Sequence, residues 1–195
     1  MARNDPERRV EVPAALREKP HISLLGEVNA DNTQKLIDGL SSPPDEGDIV
    51  IEITTPGGDA ELARRMVLEV ENAREHLGRR ILFLGKTQIY SAGVTLMAAF
   101  PREDRFLTPD ASLLIHVRQL DKTVEITGPM RASLAKAEAV CAEIKKGMEQ
   151  EEANFRKLIA GSDVTLDELL EKALYNWYLT AEEACDRGLA AAIVD

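Results

Sequence analysis

Aromatic residues are only 4% of this chain and cysteines number two, and both scarcities narrow what it does. Cys141 and Cys185 lie far apart and share no C-x-x-C spacing. Neither a metal knot nor a disulfide framework is suggested, and a reducing compartment fits. Positive charge is also short: the formal net charge is −10. A nucleic-acid footprint needs a basic patch or stripe, so that class of partner is not expected. No apolar run approaches the length that crosses a bilayer, and the charged opening "MARNDPERRVEVP" lacks the apolar core of a signal peptide. These absences predict a soluble cytoplasmic protein with no membrane partner. No G-x-G-x-x-G follows any strand and no Walker loop is present, which disfavours a nucleotide fold.

What is present reads as one well-cored domain of 195 residues, with residues 1–19 as a charged, proline-containing arm and 20–195 as the body. "HISLLGEV" is a strand ending in a glycine turn, and "NADNTQKLIDGL" a short amphipathic helix. "IVIEITT", rich in β-branched residues, is a strand running straight into "PGGD". From Asp59, the spacing of Leu62, Met66, Val70, Ala73 and Leu77 predicts a helix that Gly78 stops. "RRILFLG" is a further strand, and "RFLTPDASLLIHV" two short strands around a Pro-Asp turn. A long helical pattern covers about 129–160 and ends at Gly161. "TLDE" and "TAEE" match the capping box, so helices start at Thr165 and Thr180. Strand, helix, strand, helix, strand with tight loops makes an α/β layered domain.

Three places carry candidate chemistry. In "QIYSAGVTLMAAF", Ser91 stands before an apolar helical run. A serine there serves as an N-cap, its oxygen accepting a backbone N–H. The same place suits a nucleophile, since the N–H of Ala92 can face a developing oxyanion and Ala92 and Gly93 let a substrate approach. Position 89 is Ile, so the G-x-S-x-G elbow is not matched. In "TTPGGD" the two glycines are either a plain turn or an uncrowded amide donor for an oxyanion. Of the three histidines, His76 fits a helix C-terminal role and His21 has no evident partner. His116 interrupts an apolar strand, where histidine is more often structural than functional.

Strand–PGG–helix, then strand–SAG–apolar helix, then strand–His is a narrow ordered combination. It resembles the ClpP-type serine peptidases, the proteolytic subunits of caseinolytic protease, from "KPHISLLGEV" to the C-terminus. "WYLTAEEACDRGLAAAIVD" is similar to the family's closing helix and strand. The resemblance implies a ClpP/crotonase-like superhelix of strand-strand-helix units with a protruding handle helix, here about 129–160. It further implies a hydrolase acting on polypeptides through an acyl-enzyme, with Ser91 as nucleophile and His116 as general base. The amides of Gly58 and Ala92 would form the oxyanion hole, and no metal or other cofactor is needed. Matching the family's aspartate to this chain puts Asn176 third in a Ser-His-Asn variant triad, with Asp163 and Asp167 as poorer substitutes.

Asparagine accepts the imidazole N–H through its amide oxygen but brings no charge, which implies slow or conditional activity. Self-association into a ring or stacked rings is expected through the handle, along a seam of Val140, Ile144, Met148, Phe155, Leu158 and Ile159; packing into the core is the plainer reading of the same residues. The positions that carry docking aromatics in the family hold Val50 and Glu52, so docking of an AAA+ unfoldase is disfavoured. Two other functions compete: a catalytically silent ClpP-like subunit with an assembly or regulatory role, and a crotonase-like acyl-CoA enzyme using the same two amides.

Overall fold

Strands β1 (Ile22–Leu25), β2 (Ile49–Thr55), β3 (Ile81–Tyr90), β4 (Arg105–Leu107) and β7 (Ala192–Ile193) lie side by side in that order, every neighbouring pair parallel. A computed structural model describes residues 11–195 of the chain. The part of the expected arm before residue 11 lies outside the described residues.

The parallel pairing demands crossovers, and helices α1 (Ala30–Ser41) and α2 (Ala60–Leu77) supply the first two. Both start where the sequence places them. Asn29 caps α1 by accepting from the Asn32 N–H, and Asp59 caps α2 by accepting from Glu61 and Leu62. Gly78 closes α2 in the left-handed conformation.

Strand β3 does two jobs. Its first half, Phe83–Gly85, pairs with β4; its second, Gln88–Tyr90, pairs with β5 (Ser112–Ile115). Between them Thr87 takes φ 53°, and the register against β2 shifts between Ile53 and Thr55. Such a bulge bends a strand and re-aims the residues beyond it. "RRILFLG" therefore continues as strand through Tyr90, directly up to Ser91. Strand β6 (Trp177–Thr180) then adds antiparallel to β5, with Ile115 opposite Trp177.

Period-two alternation divides the apolar strands between two faces. Ile49, Ile51, Ile53, Ile81 and Phe83 enter the main core with the helices. Val50, Leu82, Leu84 and Phe106 point to a smaller cluster with Leu16 and Val194. A 3₁₀ turn at Ala14–Arg17 brings Leu16 there, so this piece of the lead-in packs against the sheet.

The short helix α3 (Ala92–Met97) follows Ser91, and the 30-residue α4 (Met130–Ile159) is the long helix. Helices α5 (Leu166–Ala173) and α6 (Ala181–Asp186) complete the chain. The capping box forms in full at Thr180 with Glu183. At Thr165 only half of it forms: Thr165 accepts from the Glu168 N–H, while the Glu168 carboxylate turns to Arg187 and Lys172 instead. Two cations outcompete one backbone amide for that carboxylate.

Arg105 ties the layers together. It is buried, and its guanidinium donates to the carbonyls of Phe100, Leu158, Leu189 and Lys157. Burial lowers its pKa to about 10. The end of α4 and the turn beyond α3 are thereby fixed to the same cation.

Candidate active site

The two-glycine loop is built against Val28. The Val28 N–H donates to the Gly57 carbonyl at 2.8 Å, and the Asp59 N–H donates to the Val28 carbonyl at 2.9 Å. This parallel bridge leaves the amide of Gly58 without a partner among the described residues. A Cβ on Gly58 would stand 2.4 Å from the Val28 carbonyl oxygen, so only glycine fits, here at φ 144°. Thr55 braces the loop from below, its hydroxyl accepting from the Gly57 N–H at 3.1 Å.

Ser91 stands where β3 meets α3, and its side chain makes no capping bond. Its backbone is at φ 53° and ψ −110°, a region that costs a non-glycine residue about 1–3 kcal/mol. A cap adopts extended backbone and spends its oxygen on the first turn; Ser91 does neither. With only six residues, α3 supplies a short dipole, so the N–H of Ala92, without a partner among the described residues, is the stronger electrostatic asset. Gly93 is buried against β2. A Cβ there would lie 2.5 Å from Thr55 Cγ2, so its smallness serves the contact of α3 with β2.

His116 directly succeeds the last residue of β5 and is half-buried. Its Nδ1 lies 2.7 Å from the Val117 carbonyl oxygen. A carbonyl only accepts, so this bond puts the proton on Nδ1 and leaves the Nε2 lone pair free. The other two histidines are occupied differently. His76 Nδ1 bonds the Asn72 carbonyl within the last turn of α2. His21, expected to lack a partner, accepts the Val50 N–H on Nδ1 at 3.1 Å.

Ser91, Ala92, Gly58 and His116 line one cavity of about 550 Å³. Asn176 is not among its lining residues. It is exposed, in the left-handed conformation at φ 61°, immediately before β6. The β5–β6 ladder ends at Ile115 opposite Trp177, so His116 and Asn176 each lie one residue beyond its last pair. Asp163 is spent on Arg187 at 2.7 Å, and Asp167 sits in the first turn of α5.

Sequence reasoning missed the charged wall of this cavity. Glu61, Arg64, Arg118 and Glu151 line it, and so does Asn154, whose buried Nδ2 has no partner among the described residues. Glu61 accepts from Arg118 at 2.7 Å and from Arg64 at 2.6 Å. The Arg118 bond is the main reason its carboxyl lies below the usual range, with Arg64 adding to it against a partial burial that raises it. Glu61 and Arg64 share one face of α2, as Glu151 and Asn154 share one of α4, but local spacing does not bring those two helices and Arg118 together. Among the described residues, no group of three or more His, Cys, Asp or Glu side chains is placed to hold a metal ion, and no helix is long and apolar enough to cross a membrane.

The protein is thus of the α/β class, a mostly parallel sheet with a strained serine where β3 meets α3 and a histidine just past β5, the strand paired with that end of β3. The sequence model of the Clp protease family matches residues 4–195, and the chain belongs to that family of serine proteases. It is 27% identical over 187 residues to the "ATP-dependent Clp protease proteolytic subunit 3" of Rhizobium johnstonii, spanning 94% of this chain and 88% of that one. The protein of the same description in Rhizobium etli is also 27% identical, over 188 residues and the same shares. Among solved structures, an asparagine-to-aspartate mutant of ClpP1 from Listeria monocytogenes superposes with a TM-score of 0.67 at 19% identity. That match covers 89% of this chain and 90% of the other, and establishes the ClpP-type fold.

Proposed function

We propose that this chain is a ClpP-type serine peptidase that cleaves polypeptides through an acyl-enzyme at Ser91. One observation carries the reading: Ser91 is held in a strained backbone with its hydroxyl unspent, in the same cavity as a histidine whose Nε2 is free. His116 Nε2 takes the Ser91 proton as Oγ attacks the peptide carbonyl. The tetrahedral oxyanion accepts from the N–H groups of Gly58 and Ala92, each such donor being worth about 10²–10³ in turnover. The C–N bond then breaks and Nε2 returns the proton to the leaving amine. Water attacks the ester, Nε2 taking its proton, and Ser91 regains its hydrogen.

Asn176 is the third member of the proposed site; its support is its place one residue before the ladder pair Trp177–Ile115, as His116 is one residue after it. In the single chain the Val117 carbonyl holds Nδ1, which already selects the useful tautomer. An uncharged partner gives slow or conditional turnover. Assembly runs through α4: Phe155 and Leu158 of the expected seam are buried in this chain's own core, whereas Ile144 and Met148 are exposed. The proximal half thus satisfies the core-packing reading and the distal half is left for another copy, in a ring or stacked rings. The two Rhizobium relatives carry the description ATP-dependent. Here Val50 lies wholly buried beside Leu16 and Glu52 is paired with Lys86, which argues against an AAA+ unfoldase docking on that strand. The crotonase-like and silent-subunit readings are not favoured by the family match.

The test is a fluorophosphonate probe with the adduct mapped by mass spectrometry. Label on Ser91, lost in Ser91→Ala, is the expected result; no label under assembling conditions sinks the peptidase reading.

A further inference from the structure

The chain that leaves His116 has no regular structure from Val117 to Thr127, yet it is not free. Two residues past the base, Arg118 is held by three side chains, the weakest being Gln150, whose Oε1 accepts from the guanidinium at 3.4 Å. Its guanidinium donates to Glu61 Oε1 at 2.7 Å, and its backbone N–H donates to the Glu151 carboxylate. Glu61 sits in the first turn of α2, three residues after the oxyanion glycine Gly58; Glu151 sits on α4. All three line the cavity that holds Ser91. The wall that carries the oxyanion amide and the wall that carries the base are therefore joined by one side-chain bridge.

We propose that Arg118 is a positioning residue for His116: the Glu61–Arg118–Glu151 bridge holds Val117, and through its carbonyl the imidazole, at a set distance from the Gly58 loop. The proposal rests on the Ser91–His116 reading above. Val117 is the link, because its carbonyl accepts from Nδ1 while its own N–H donates to the Ala173 carbonyl at 3.2 Å. Arg118 suits this role because a guanidinium donates in a planar fork, and Glu61 is itself pinned by Arg64 on its other oxygen. An exposed ion pair contributes little to global stability. Its effect is local: a base displaced by about 1 Å loses on the order of 10²-fold in rate.

The experiment measures two quantities on the intact protein. One is the second-order rate of fluorophosphonate labelling at Ser91; the other is the ¹⁵N imidazole spectrum of His116 at a fixed pH. Arg118→Met is expected to lower labelling about 10-fold or more and to shift His116 away from the Nδ1–H tautomer. Arg118→Lys, which still reaches Glu61, recovers most of both. Glu61→Ala lowers labelling similarly, and the Arg118→Met/Glu61→Ala double variant is no worse than either alone, as partners in one bridge require. Arg156→Met, which breaks an exposed Arg156–Glu152 pair elsewhere on α4, leaves both readouts unchanged. An unchanged rate and spectrum in Arg118→Met, an additive double variant, or an equal drop in Arg156→Met overturns the proposal. If the wild type takes no label, the peptidase reading falls, and the His116 spectrum alone decides the bridge.

Discussion

Gly57 lies directly against Ser91: a Cβ placed on the glycine would come within 2.8 Å of Ser91 Cβ and 3.3 Å of its Oγ. The glycine loop and the serine step are therefore one packed unit, although 33 residues of chain separate them. Gly57→Ala would collide with the serine and force a side chain into φ 110°. We expect a loss of about 1–3 kcal/mol of stability and a marked fall in Ser91 labelling. A denaturant titration beside the labelling assay checks both; an alanine variant that labels at the wild-type rate contradicts the contact.

Ser91 itself should show the strain. Ser91→Ala keeps a Cβ at φ 53°, whereas Ser91→Gly relieves it. Both variants are expected to be inactive, with the glycine form the more stable by about 1 kcal/mol after its extra chain entropy is offset. Equal midpoints for the two would mean that the backbone is not strained there.

Asn176→Asp puts a carboxylate one residue beyond the last β5–β6 pair, at the same end of the ladder as His116. We expect higher peptide turnover, since a negative partner stabilises the imidazolium that forms during attack. Both residue types tolerate the left-handed backbone seen at φ 61°, so the exchange leaves the turn intact. Turnover that stays flat or drops in a folded variant removes Asn176 from the orienting role.

Acid sensitivity should trace to Glu168. The bonds from Arg187 and Lys172 hold its pKa down to about 2, against an ordinary value of 4.5. A carboxylate depressed in the folded state stabilises fully above its unfolded value and loses that contribution as pH falls toward the folded one. The wild type should therefore lose stability between about pH 4.5 and 2. Glu168→Gln should be less stable at neutral pH and show a flatter acid limb. Parallel acid limbs in the two proteins would rule this carboxylate out as the cause.

Arg105→Met removes the guanidinium that serves four backbone carbonyls. Those oxygens lose their donor in a site largely closed to water, so a loss of at least about 3 kcal/mol is expected in a denaturant titration. A variant within 1 kcal/mol of the wild type, taking about that as the worth of one ordinary hydrogen bond, would contradict the tie.

On α4, Ile144→Glu with Met148→Glu changes only exposed positions. Sedimentation should show the species shrinking while the circular dichroism stays native; unchanged sedimentation would contradict assembly through this helix.

Much of the scaffold was legible in the chain because its signals are local. β-branched runs, Asn29, Asp59 and Thr180 as caps, and Gly78 and Gly161 as stops act within a few residues of themselves. The ordered motifs around Gly58, Ser91 and His116 are equally readable as strings, although the strand that leads to Ser91 runs past Gly85, where the pattern ends it, through Tyr90. Tertiary structure alone decided the rest. Whether Ser91 caps its helix depends on the bulge at Thr87 and on Gly57 across the sheet. Val50 could be surface or core, and Leu16 from the lead-in made it core. Glu168 matched a capping box, yet Arg187, 19 residues on, claimed it. The bridge of Glu61, Arg118 and Glu151 joins three segments distant in sequence, and long-range electrostatics leaves no periodic trace by which a sequence could announce it.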